Sequence, residues 1–111
     1  MAVFGFSNEI PELMSASDIL VGKGGPGALA EALTKEIPIV VTSWLPGQEE
    51  GNAEYVKTHD LGALCTDYSQ IGKTVSDLLT PASLARVRAN IHRVSRPRAA
   101  YEIADLFFKF L

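Results

Sequence analysis

At 111 residues, with 47% hydrophobic and 21% charged side chains and a net charge of −3, the chain is sized for one compact domain with a real core, which excludes a disordered or fibrous protein. Its apolar runs are a few residues long, far short of the ~20 needed to span a bilayer, and no basic stretch leads into an apolar one at the N-terminus, so neither a membrane span nor export is expected. A single cysteine, Cys65, excludes an internal disulfide framework and a cysteine-rich zinc site and points to a reducing compartment.

In chain order, Val3 to Phe6 reads as a short strand remnant, and Pro11 opens a brief helix with Leu13 and Met14 inward. Ile19 to Val21 reads as a strand that runs into Gly22-Lys23-Gly24-Gly25-Pro26-Gly27, four glycines in six residues, followed by a helix from Ala28 to Lys35. The β-branched run Ile39 to Thr42 predicts a buried parallel strand, Ser43 to Gly51 a loop, Asn52 to Thr58 a helix, and Ala63 to Cys65 a short strand. Helices follow: one carries Ile71, Val75, Leu78 and Leu79 on one face; one is capped by Thr80-Pro81 and carries Leu84, Val87 and Ile91. A closing helix after Pro97 shows an apolar stripe of Ile103, Leu106, Phe107 and Phe110. Strands alternating with helices predict an α/β fold, a Rossmann-like parallel sheet of about four strands with ligands at the strands' carboxyl ends.

Charge is unevenly placed. Residues 1–80 hold four lysines and eleven acidic groups, while residues 81–111 hold five arginines, one lysine and two acidic groups, with every arginine between Arg86 and Arg98. This patch suits phosphates or an anionic membrane surface, or it is a solvated helical face.

The glycine loop carries the most chemistry. A glycine-rich turn lets backbone approach a ligand, and the helix N-terminus behind it offers unpaired N–H groups and a positive dipole end to a phosphate; the alternative is a tight turn and nothing more. Gly22, Gly24 and Gly27 satisfy the dinucleotide spacing, but the next strand ends in Thr42-Ser43 with no carboxylate for a ribose, and Pro26 removes a donor. A P-loop fails because Ala28 and Leu29 follow Gly27. Glu31, in the first turn of the helix behind the loop, is placed to accept from two ribose hydroxyls, and Gln48, Glu49, Glu50 and Asn52 form a polar set suited to sugar hydroxyls. In the plainer reading Glu31 complements the helix dipole and Asn52 caps a helix beside a solvated loop.

The stretches Gly22-Lys23-Gly24-Gly25-Pro26-Gly27-Ala28-Leu29-Ala30-Glu31-Ala32 and Leu45-Pro46-Gly47-Gln48-Glu49-Glu50-Gly51-Asn52 resemble the monogalactosyldiacylglycerol synthases and diacylglycerol glucosyltransferases. Phe4-Gly5-Phe6, Met14 to Asp18 and Ser95-Arg96-Pro97-Arg98-Ala99 extend the likeness over nearly the whole chain, and the peptidoglycan N-acetylglucosaminyltransferases are more distantly similar. The resemblance implies that residues 1–111 are a single UDP-sugar-binding domain, the C-terminal half of a two-domain GT-B enzyme. That enzyme would move galactose or glucose from UDP-hexose to diacylglycerol with inversion, without metal or cofactor. Carried over, Gly25 and Gly27 with the following helix hold the diphosphate, Glu31 the ribose, and Gln48, Glu49 and Asn52 the hexose, with Gly24 and Ala28 also among the nucleotide-sugar-binding residues.

The same resemblance implies a catalytic base outside this chain, an acceptor domain or partner subunit, and absent first strands of the donor domain. It also implies a cytoplasmic protein peripheral to a bacterial inner membrane or plastid envelope, with Arg93, Arg96 and Arg98 toward anionic lipid and no nucleic-acid partner. The chain departs from the family in having Gly22 and Ala28 where threonine is usual, which removes a hydroxyl from the phosphate side. Two further readings are a non-catalytic nucleotide- or lipid-binding module of the same fold and a dinucleotide oxidoreductase fragment, the latter disfavoured by the missing ribose carboxylate. His59 and His92 lack a ligand-spaced partner, and no nucleophile motif of the G-x-S-x-G type occurs.

Overall fold

The computed structural model describes residues 1–111. Three parallel strands, β1 (Leu20–Lys23), β2 (Ile39–Ser43) and β3 (Gly62–Leu64), lie side by side in that order. Six helices surround them: α1 (Ile10–Ser15), α2 (Pro26–Thr34), α3 (Glu50–Thr58), α4 (Ile71–Leu78), α5 (Pro81–Val94) and α6 (Ala99–Phe108). The central strand is buried at Ile39, Val40 and Val41, as both faces of a parallel sheet covered by helices require. Around it Leu29 and Ala32 of α2, Ala53 and Val56 of α3, Leu78 of α4, and Val87 and Ile91 of α5 complete one core.

Local chemistry sets the boundaries. The expected cap at Thr80 is present, its hydroxyl accepting from Ser83 N–H with Pro81 in the first turn. Both α2 and α3 end with a residue in the left-handed region, Glu36 (φ 56°) and Asp60 (φ 51°). In each case the following amide bonds back into the last turn, Ile37 N–H to Ala32 and Leu61 N–H to Val56, which satisfies otherwise orphaned carbonyls. These two corners then receive α5: His92 Nδ1 meets Glu36, and Arg86 and Asn90 meet the carboxylate of Asp60.

Two expectations are corrected. Val3 to Phe6 forms no strand, so the sheet has three strands rather than about four. Those residues find no neighbouring strand to bond, and Val3, Phe4 and Phe6 are exposed. The closing helix forms, but its stripe covers nothing: Ile103, Leu106 and Phe107 are exposed, α6 buries no residue, and Phe110, also exposed, lies beyond the helix. Removing residues 99–111 is therefore expected to move the thermal midpoint by less than about 3 °C, because stability comes from buried area and this helix buries almost none. Differential scanning calorimetry of the shortened chain checks this.

Candidate donor-binding site at the carboxyl edge

The glycine run divides differently from its sequence appearance. Gly22 and Lys23 belong to β1, Gly24 and Gly25 make the turn, and α2 starts at Pro26 in place of Ala28. Proline suits that position because its fixed φ matches the helix and its missing N–H has no intrahelical acceptor to lose. Gly25 is the N-cap with extended backbone (φ −72°, ψ 142°) and supplies no side-chain cap. The N–H groups of Gly25, Gly27 and Ala28 consequently meet no acceptor within the chain, whereas Gly24 N–H is taken by the Ser43 carbonyl at 2.8 Å. Three donors without an acceptor thus stand at the positive end of a nine-residue helix, a geometry suited to an anion. A side chain at Gly27 would meet nothing within 4 Å, so the protein's own packing does not demand a glycine there.

Glu31 is exposed and sits in the second turn of α2 rather than the first, since the helix begins earlier than its sequence suggests. Side chains on a helix lean toward its N-terminus, so Glu31 still overlooks the turn that carries the free donors.

The second loop is built by Pro46 and Gly47. Gln48 N–H bonds the Leu45 carbonyl at 3.2 Å and Gly47 has φ +76°, the conformation that a proline-glycine turn of this kind requires. The loop leads straight into α3, which begins at Glu50, so Asn52 lies inside the first turn and is not the cap. Its side-chain amide instead donates to the Gly24 carbonyl at 2.9 Å, across to the glycine loop.

Glu49 is the one charged residue buried in the molecule, at 6% exposure. One carboxylate oxygen lies 2.9 Å from Lys23 Nζ, and the other accepts from Leu45 N–H at 2.8 Å. The hydrogen bond from Lys23, then that from the Leu45 amide, hold the Glu49 carboxyl below the ordinary glutamate range, against an opposing push from burial. Glu49 and Asn52 thus lace the two motif loops together, while Gln48 and Glu50 face solvent.

A depressed pKa favours the folded state above the ordinary glutamate range, and that contribution fades as pH falls through it toward the folded value. Glu49→Gln is accordingly expected to lower the thermal midpoint at pH 7, with the gap to the wild type closing as the pH drops below about 4. Melting curves at a series of pH values check it.

The basic segment stands elsewhere. Arg86, Arg88 and His92 pair with Asp60, Asp18 and Glu36, which precede β3, β1 and β2, so α5 runs along the amino edge of the sheet, opposite the glycine loop. Arg93, Arg96 and Arg98 share one shallow groove with Ser95 and Glu102. There Arg96 pairs with Glu102 at 3.2 Å, Arg93 donates to Asn90, and Arg98 lies 5.4 Å over the Tyr101 ring. The ion pair Lys23–Glu49 is not legible in the sequence; the signal available is one lysine in the first motif loop and two adjacent acidic residues, Glu49 and Glu50, in the second, with nothing to choose between them.

The model of the glycosyltransferase family 28 C-terminal domain matches residues 1–105. The chain belongs to this family. It is 36% identical over 103 residues to monogalactosyldiacylglycerol synthase 1, chloroplastic, of Arabidopsis thaliana, covering 91% of the chain and 19% of that protein. The corresponding chloroplastic synthase of Spinacia oleracea is 36% identical over 103 residues, covering 91% and 20%. The family 28 chain therefore spans about a fifth of the length of these relatives. Among solved structures it is similar to the glycotransferase of kitacinnamycin, with a TM-score of 0.56 and 24% identity over 86% of the chain and 27% of that structure. That likeness bears on fold, and the fold is the Rossmann-like one expected for a donor-binding half. No helix is long and apolar enough to cross a membrane.

Proposed function

We propose that this family 28 domain binds the UDP-hexose donor of an inverting glycosyltransferase that glycosylates diacylglycerol. The observation that carries the reading is the meeting of both motif loops at one sheet edge, where Asn52 of the second loop bonds Gly24 of the first next to the three free donors of Gly25, Gly27 and Ala28. In this reading the diphosphate rests on those N–H groups with Gly24 shaping the turn, and Glu31 takes the ribose hydroxyls. Gln48 reads the hexose, with Glu49 and Asn52 forming the wall behind it. As the glycosidic bond breaks, negative charge grows on the departing diphosphate, and the aligned donors and helix dipole stabilise it without reorganising. The base that takes the acceptor's proton belongs to an acceptor domain.

The uncovered apolar groups of α6 and residues 1–10 support that partner half, since a free-standing domain rarely leaves so many large apolar side chains in water. A position peripheral to a membrane, with Arg93, Arg96 and Arg98 meeting anionic headgroups, puts lipid at the edge opposite the donor loop. Flotation with anionic but not neutral vesicles checks that contact. The donor site itself is tested by following backbone amide shifts on adding UDP-galactose or UDP-glucose. Changes centred on Gly25, Gly27, Ala28 and Gln48 are expected, and changes confined to the Arg93 to Arg98 groove would contradict the assignment.

A further inference from the structure

We propose that Lys23, pinned by the buried Glu49, is a phosphate-contacting cation of this site, and that Glu49 is its positioning residue; the inference rests on the donor-site reading above. Lys23 ends β1 immediately before the glycine turn. The strand register slips between Gly22 and Lys23, leaving Thr42 of β2 without a partner, and such irregularities recur beside functional sites, where they re-aim a side chain. The point where a side chain on Gly25 would begin is 3.8 Å from both Lys23 Cε and Glu49 Oε1. The Lys23 side chain and its Glu49 partner therefore lie against the glycine turn at Gly25.

The two partners are unequally exposed, 52% for the Lys23 side chain and 8% for that of Glu49. The carboxylate is the fixed member, tied by its second oxygen to Leu45 N–H, and the lysine faces outward from it. An ammonium has three donors, and Glu49 engages one, so the others are available to phosphate oxygens. The helix end supplies only a partial positive charge, and Ala28 has no hydroxyl to add. Lys23 supplies a whole charge next to the glycine turn, with Glu49 fixing where it sits. Glu49 then acts through Lys23 and the loop rather than as a ligand of the sugar.

The test is titration of the 111-residue chain with UDP and separately with uridine, followed by amide shifts. Lys23→Ala is expected to weaken UDP binding about tenfold or more while leaving uridine unchanged, and Lys23→Arg to stay within about threefold of the wild type. Glu49→Gln keeps an acceptor for Leu45 N–H but loosens the lysine, and is expected to weaken UDP by about threefold with uridine unaffected. Lys23→Gln replaces the alanine variant if the latter loses the native amide spectrum. UDP bound equally by wild type and Lys23→Ala would overturn this assignment and leave the donor site standing. A wild-type chain that takes up neither UDP nor uridine would overturn the donor-site reading and this inference with it.

Discussion

Replacing Gly62 with alanine is expected to destabilise the domain by on the order of 4 kcal/mol, lowering the thermal midpoint by roughly 20 °C. Gly62 opens β3 opposite Ile39 of the central strand, with φ +154°. A side-chain carbon there would stand 1.8 Å from the Ile39 carbonyl oxygen and 2.7 Å from its nitrogen. Both are backbone atoms in the middle of the sheet, bonded into place by Ile39 N–H to the Leu61 carbonyl at 3.1 Å, so neither can step aside as a flexible side chain would. The clash resolves only by parting β2 from β3 or twisting the corner after α3, and either opens the core at Leu61 and Val56. Against a typical total of about 5–15 kcal/mol, such a loss leaves much of the chain unfolded at 37 °C. Calorimetric or circular-dichroism melting of the variant checks it.

Gly27→Leu is expected to do the reverse, weakening UDP-sugar binding at least tenfold, about 1.4 kcal/mol or more, with the thermal midpoint within a few degrees of the wild type. Space around Gly27 is open, and a helix interior prefers most side chains to glycine, so folding tolerates the change. The added side chain, however, stands beside the free amides of Gly27 and Ala28, where the diphosphate is proposed to lie. Paired melting and calorimetric titration separate the two effects. A variant that folds and binds like the wild type would remove Gly27 from the site.

Sequence patterning reached the sheet where burial is two-sided and continuous: Ile39 to Val41 is apolar at every position because helices cover both faces. It reached Thr80 because a cap's chemistry is local. It failed at Val3 to Phe6 because an apolar run becomes a strand only beside another strand, and none lies there. It misplaced the starts of α2 and α3 because proline at Pro26 and acid at Glu50 both suit the first turn, and no local signal chose between those starts and later ones. The site's residue types were legible from their motifs, but their duties were not. Nothing in the spacing of Glu49 reveals that its carboxylate is turned inward to Lys23, or that Asn52 reaches Gly24, since both contacts depend on how two βα corners pack side by side.

That packing also separates the two charged features of the chain. The acidic body and the arginine-rich segment meet along the amino edge, where Asp18, Glu36 and Asp60 receive α5, and this leaves the carboxyl edge for the donor. The arginine pairs are exposed and each contributes little by itself. Val87 and Ile91 of α5, buried in the core, seat the helix beside α2 and α4, and the pairs line its outer side along the three corners.

The most direct measurement is isothermal titration of the 111-residue chain with UDP-galactose and UDP-glucose. Saturable one-to-one binding of at least one of them, displaced by UDP and abolished or weakened at least tenfold by Gly27→Leu, is the expected result. Absence of binding of either sugar nucleotide at millimolar concentration, by a chain shown to be folded, would contradict it.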